Sequence, residues 1–148
     1  MKRAKTIPDE ERFRGMLRSR GMRATETRMA VHRAMMALEH ACAEQVVEWL
    51  KADRDVAASV SSVYNVLQQM AVAGIYAYRM SADSKRYFDV CNHSHAHLYD
   101  RKNGVYHNLP DGPVREAINA FIKRHRIHGY TVEDVDLLVV CHKKGSSR

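Results

Sequence analysis

Ser59-Val60-Ser61-Ser62-Val63-Tyr64-Asn65-Val66-Leu67-Gln68-Gln69-Met70-Ala71-Val72-Ala73-Gly74 is the strongest helical stretch of the chain. Ser59 or Ser61 can cap its start, and Gly74 stands where a helix terminates. Val63, Val66, Leu67 and Met70 form one apolar stripe at helical spacing. The other face is unusual. Ser61, Tyr64, Asn65 and Gln68 fall at i, i+3, i+4 and i+7, offering hydrogen-bonding groups and an aromatic ring but no charge. A solvated face ordinarily carries Glu and Lys; uncharged polar groups with a tyrosine suit base edges, thymine methyls and phosphate oxygens, where carboxylates would be repelled.

Outward from this helix, Ile75 to Met80 and Lys85 to Val90 read as two strands around the turn Ser81-Ala82-Asp83-Ser84, with Arg79, Lys85 and Arg86 clustered on the hairpin. Upstream, Asp9 to Arg20 reads as a helix stopped at Gly21, Glu26 to Leu38 as a second capped by Thr25, and Ala43 to Ala52 as a third anchored by Trp49. Helices followed by a two-stranded hairpin make a winged helix, in which the fourth helix enters the major groove and the basic wing touches the DNA backbone.

Beyond the hairpin lies Asp89-Val90-Cys91-Asn92-His93-Ser94-His95-Ala96-His97. In an extended backbone His93, His95 and His97 point to one side, a ready chelate for zinc or late first-row metals. A strand continues through Leu98 and Tyr99, turns at Lys102-Asn103-Gly104, and returns as Val105 to Leu109. Pro113 opens an amphipathic helix to about Arg126, carrying Val114, Ile118, Phe121 and Ile122, and Val135 to Cys141 reads as a last strand. The run Leu137-Leu138-Val139-Val140 is too continuously apolar to face water, so burial by a helix and a partner surface is expected. So short a segment cannot easily build an independent core, which favours dimerisation. The fold class is therefore α+β: an N-terminal winged-helix DNA-binding domain at residues 1–90, and a C-terminal α/β dimerisation domain at 91–148, with a hinge about residues 89–93.

The 24 Lys and Arg outweigh 17 Asp and Glu, for a formal charge of +7 concentrated before Arg33, which favours a polyanionic partner. No apolar run approaches the ~20 residues that span a bilayer, and no signal segment follows the basic start, so a cytoplasmic protein without membrane partner is expected. Cys42, Cys91 and Cys141 form no Cys-x-x-Cys pair and read as reduced thiols.

Gly21-Met22-Arg23-Ala24-Thr25-Glu26-Thr27-Arg28, Ser61-Ser62-Val63-Tyr64-Asn65-Val66-Leu67, Ala73-Gly74-Ile75, Tyr87-Phe88-Asp89 and His95-Ala96-His97-Leu98 occur in the order and spacing of the ferric uptake regulator family. From about Met16 to Val140 the chain resembles those proteins. The resemblance implies a homodimeric, metal-responsive repressor of metal-uptake or oxidative-stress genes that binds a palindromic operator in double-stranded DNA. It implies a hinge site for one divalent ion, Fe2+, Zn2+ or Mn2+, held by His40, Asp89, His95, His97 and His107, the last in place of a carboxylate. It points to DNA contacts from Arg23 and Tyr64, then Arg28, Ser61, Asn65 and Arg86. Asp100 and Asn103 stand where many members have the first Cys-x-x-Cys pair, so no structural zinc held by a quartet of cysteines is expected. Ser94 and Ala96 replace ligands of a further site, and Asn65 replaces the arginine that usually follows the tyrosine. Asp89 instead of Glu resembles the peroxide-sensing branch. Two alternatives stand beside this reading: a haem or redox sensor using a histidine or Cys91, and a metal-dependent hydrolase using the His-x-His pair.

Overall fold

The computed structural model describes residues 7–54, 56–81, 84–91, 96–110, 112–133 and 135–145. The chain divides into two compact units, residues 1–93 and 94–148. The elements of the first are α1 (Glu10–Ser19), α2 (Glu26–Leu38), β1 (His40–Ala41), α3 (Ala43–Arg54), α4 (Val60–Val72), β2 (Ala77–Met80) and β3 (Arg86–Asp89). Those of the second are β4 (Ala96–Asp100), β5 (Val105–Leu109), α5 (Gly112–Arg124) and β6 (Leu138–Cys141).

Local capping fixes the helices of the first unit. The Asp9 carboxylate accepts from the Arg12 N–H at 2.8 Å, the Thr25 hydroxyl from Arg28 and the Ser59 hydroxyl from Ser62, each occupying an amide that the first turn leaves without an internal partner. At its far end α4 closes with Gly74 at φ +74°. The N–H groups of Ile75 and Tyr76 both donate to the Met70 carbonyl, at 2.9 and 3.2 Å. Those amides are spent on the helix end, so β2 begins at Ala77 and not at Ile75. The stripe Val63, Val66, Leu67 and Met70 is buried, together with Phe13 and Leu17 of α1, Met29 and Met35 of α2, and Phe88 of β3. A three-stranded sheet, ordered β1-β3-β2 and antiparallel throughout, completes this unit. The two-residue strand β1 carries no period that a sequence could reveal.

One buried histidine was not singled out by its sequence. The His32 ring stacks on Phe13 with centroids 3.9 Å apart. Its Nε2 lies 2.7 Å from the Pro8 carbonyl and its Nδ1 2.7 Å from the Tyr76 hydroxyl. A carbonyl only accepts, so Nε2 carries the proton and Nδ1 accepts from Tyr76. Burial lowers the His32 pKa below its ordinary 6.5. The folded chain therefore resists a proton that the unfolded chain takes up: stability is fully present above pH 6.5 and is lost as pH falls toward the lowered folded-state value. In urea unfolding, the wild-type midpoint should drop between about pH 7.5 and about pH 5.5, and His32→Gln, though less stable, should show a shallower drop. An unchanged slope in the variant would assign the loss to other groups.

In the second unit β4 runs antiparallel to β5 and parallel to β6, in the order β5-β4-β6. Tyr99 and Tyr106 pack ring to ring at 4.6 Å. β6 begins at Leu138, and the Val135 carbonyl ahead of it accepts from the Arg115 guanidinium. Within the single chain the faces of β6 and α5 stay open. No side chain of α5 is buried, and Val140 is 49% and Phe121 58% exposed. Leu138 and Val139 are exposed as well. Among the described residues, no helix is long and apolar enough to cross a membrane.

Candidate metal centre and nucleic-acid interface

Glu39 ends α2 in a conformation, φ +62° and ψ −46°, that L-residues rarely adopt. Its N–H donates to the Met35 carbonyl, and its own carbonyl accepts from Val90 at 3.0 Å. The chain is thereby turned out of the helix and into β1, with His40 directly opposite Asp89 of β3. Cross-strand partners share a face. His40 Nε2 lies 3.2 Å from Asp89 Oδ2, with both residues buried, and the other carboxylate oxygen accepts from the Cys91 N–H at 2.8 Å. An imidazole nitrogen and a carboxylate oxygen, fixed side by side away from bulk water, are donors of the type that binds divalent first-row metals. This His/Asp pair is one end of a possible metal site.

In the second unit His97 is buried on β4, its ring edge-on to Tyr106 at 6.0 Å. His93 and His95 lie outside the described residues. His107 departs from its expected role. It pairs with Leu98, the neighbour of His97, and is exposed; successive strand residues point to opposite faces, so His97 and His107 are on opposite sides of this sheet and do not share an ion there. The residue beside His97 is Asn108, its direct cross-strand partner. The hairpin register was the missed signal. A turn that pairs Asp100 with Val105 necessarily sets His97 against Asn108.

Asp100 and Asn103 close that same turn. Asp100 Oδ1 accepts from the N–H groups of Lys102 and Asn103, and Oδ2 from the Asn103 carboxamide at 2.7 Å. The bond from the Asn103 side chain holds the Asp100 carboxyl below its ordinary pKa. Cys42 and Cys91 are buried thiols outside any disulfide, burial pushing the Cys42 thiol pKa up, and Cys141 is partly exposed.

The polar face of α4 is divided by its packing. Ser61 and Asn65 are exposed. Tyr64 is half-buried, edge-on to Phe88 with centroids 6.0 Å apart. Gln68 Oε1 accepts from Arg86 at 2.7 Å, and the Arg86 guanidinium lies 4.7 Å from the Tyr78 ring, so one arginine ties the wing to α4. Arg28 is similarly engaged: it donates to the Arg23 carbonyl at 2.7 Å and to Gln69 Oε1 at 3.2 Å. Arg23 itself is exposed. A groove of about 550 Å³ lies over this surface, lined by Glu44, Ser61, Tyr64, Asn65, Lys85 and Arg86 among others.

The sequence model of the ferric uptake regulator family matches residues 19–139. The chain belongs to the ferric uptake regulator family. Its fold is similar to that of the Vibrio cholerae ferric uptake regulator, with a TM-score of 0.74 at 19% identity over 88% of this chain and 99% of that one. A Pseudomonas aeruginosa ferric uptake regulator solved with manganese matches at 0.63 and 23% over 88% and 96%. A zinc-bound manganese uptake regulator matches at 0.66 and 25% over 86% and 96%. No match was found among curated proteins. The chain thus has the fold of the family's metal-responsive regulators, which are not enzymes.

Proposed function

We propose that the chain is a cytoplasmic, homodimeric repressor that binds a palindromic DNA operator when it holds a divalent metal ion. The observation that carries this reading is the buried contact of His40 with Asp89, 3.2 Å apart at one end of β3. The other end of that four-residue strand is Arg86, which holds Gln68 of α4. A change at the metal end is therefore only one short, rigid strand away from the wing and the proposed recognition helix.

His40 and Asp89 would hold a divalent ion together with His97 and His95, with Asn108 in the place expected of His107, and the ion would supply a positive centre there. Three imidazoles, one carboxylate and one amide oxygen suit Fe2+, Mn2+ or Zn2+ without selecting among them. In this proposal His40 and Asp89 would bind the ion from the first unit, and His95 and His97 from the second. Two winged helices held at one separation then match successive major grooves, ~34–36 Å apart. The ordering cost is met before the duplex arrives.

Relatives support the parts of this reading. Proteins of similar fold include a ferric uptake regulator solved with manganese and a zinc uptake regulator complexed with zinc and DNA. Anisotropy titration of the full chain against a duplex recovered by in vitro selection tests it. Affinity with Mn2+ should exceed affinity in EDTA by roughly 5- to 150-fold, the usual span of coupling between two sites. Equal affinities would discard the metal switch.

A further inference from the structure

α4 contains no lysine, no arginine and no carboxylate from Val60 to Val72. That composition restricts which bases the helix can read. Guanine is read in the major groove by a guanidinium or ammonium on O6 and N7; adenine is read by a carboxamide whose oxygen accepts from N6 and whose NH2 donates to N7. The helix has three carboxamides. The Gln68 oxygen is turned to Arg86 at 2.7 Å and the Gln69 oxygen to Arg28 at 3.2 Å. Asn65 makes no such tie among the described residues and is exposed. It lies one turn after exposed Ser61 on the same face, in the amino-terminal half of the helix, the part that reaches base edges in helix-turn-helix docking. Half-buried Tyr64, edge-on to Phe88, and the Arg86–Gln68 bond hold that face in place from either side.

We propose that Asn65 is the specificity-determining residue of α4, and that it reads one adenine in each half of the operator through a bidentate carboxamide contact. This rests on the reading of the chain as a DNA-binding regulator. The other two carboxamides serve to aim the wing and the loop before α2.

Selection from a random-sequence duplex pool, with the full-length chain in Mn2+, compares wild type with Asn65→Ala and Asn65→Arg. Wild type should enrich adenine at one symmetric pair of positions, with about tenfold loss of affinity when that pair is changed. Asn65→Arg should move the preference there to guanine, and Asn65→Ala should leave that pair without preference while the other selected positions persist. Asn65 is exposed, so both variants should unfold at the wild-type temperature, which a thermal melt verifies. A consensus identical in all three proteins would overturn the role of Asn65 and leave the regulator reading intact. Failure of the wild type to enrich any sequence would overturn both.

Discussion

Asp89→Asn should weaken Mn2+ binding by roughly 100-fold or more and remove the metal dependence of operator affinity, with little change in folding. The carboxylate has two separate tasks. Oδ1 accepts from the Cys91 N–H at 2.8 Å, and Oδ2 lies 3.2 Å from His40 Nε2. The asparagine oxygen can retain the first contact, which avoids leaving a buried N–H without an acceptor, a loss of about 1–3 kcal/mol. It cannot supply the negative charge that a divalent ion requires. His40→Ala should act in the same direction, by removing a nitrogen donor. The informative control is His107→Ala. Because His107 sits on the sheet face opposite His97 and is exposed, its removal should leave Mn2+ affinity within about twofold, inside the ~0.5 kcal/mol usual for surface changes. A collapse of affinity in His107→Ala, with Asp89→Asn unaffected, would reverse the assignment. Isothermal titration of each variant with Mn2+ reads both outcomes.

Val140→Glu should convert a dimer to a monomer and weaken operator binding by about 10²- to 10⁴-fold, the scale of avidity lost when two linked heads bind separately. β6 is an edge strand whose Leu138, Val139 and Val140 are exposed, and the amphipathic helix α5 buries none of its side chains. An exposed apolar edge of this kind is a template for pairing with another chain. A second copy of the same chain is the proposed cover. A glutamate at position 140 would place a charge in that interface, where it costs several times more than at a surface. Sedimentation at micromolar concentration should give a dimer for the wild type and a monomer for the variant. A wild-type monomer would leave the exposed strand unexplained and remove the bivalent mechanism.

How much of this could be read beforehand depends on the range of the forces involved. Asp9, Thr25 and Ser59 act on amides three residues away, so the helix starts were legible within a residue. Strand ends were less so, because Ile75 and Tyr76 spend their amides on the end of α4. The pairing of His40 with Asp89 depends on a two-residue strand and on Glu39 in a rare conformation, neither of which leaves a periodic mark. Composition cannot tell whether an arginine faces solvent or holds a neighbour. Among the six DNA-contact candidates, Arg28 and Arg86 hold glutamines, whereas Arg23, Ser61 and Asn65 are exposed. His107 is one residue from Asn108, the cross-strand partner of His97, and in a strand one residue is enough to move a side chain to the other face.

Linkage between the metal and the operator runs in both directions. If metal tightens operator binding, the operator must tighten metal binding by the same factor. Calorimetric titration of Mn2+ into the full chain, alone and saturated with its selected duplex, measures that factor directly. Mn2+ affinity should be higher in the complex by the ratio found when DNA is titrated with and without metal. An Mn2+ affinity unchanged by the duplex would contradict the metal switch.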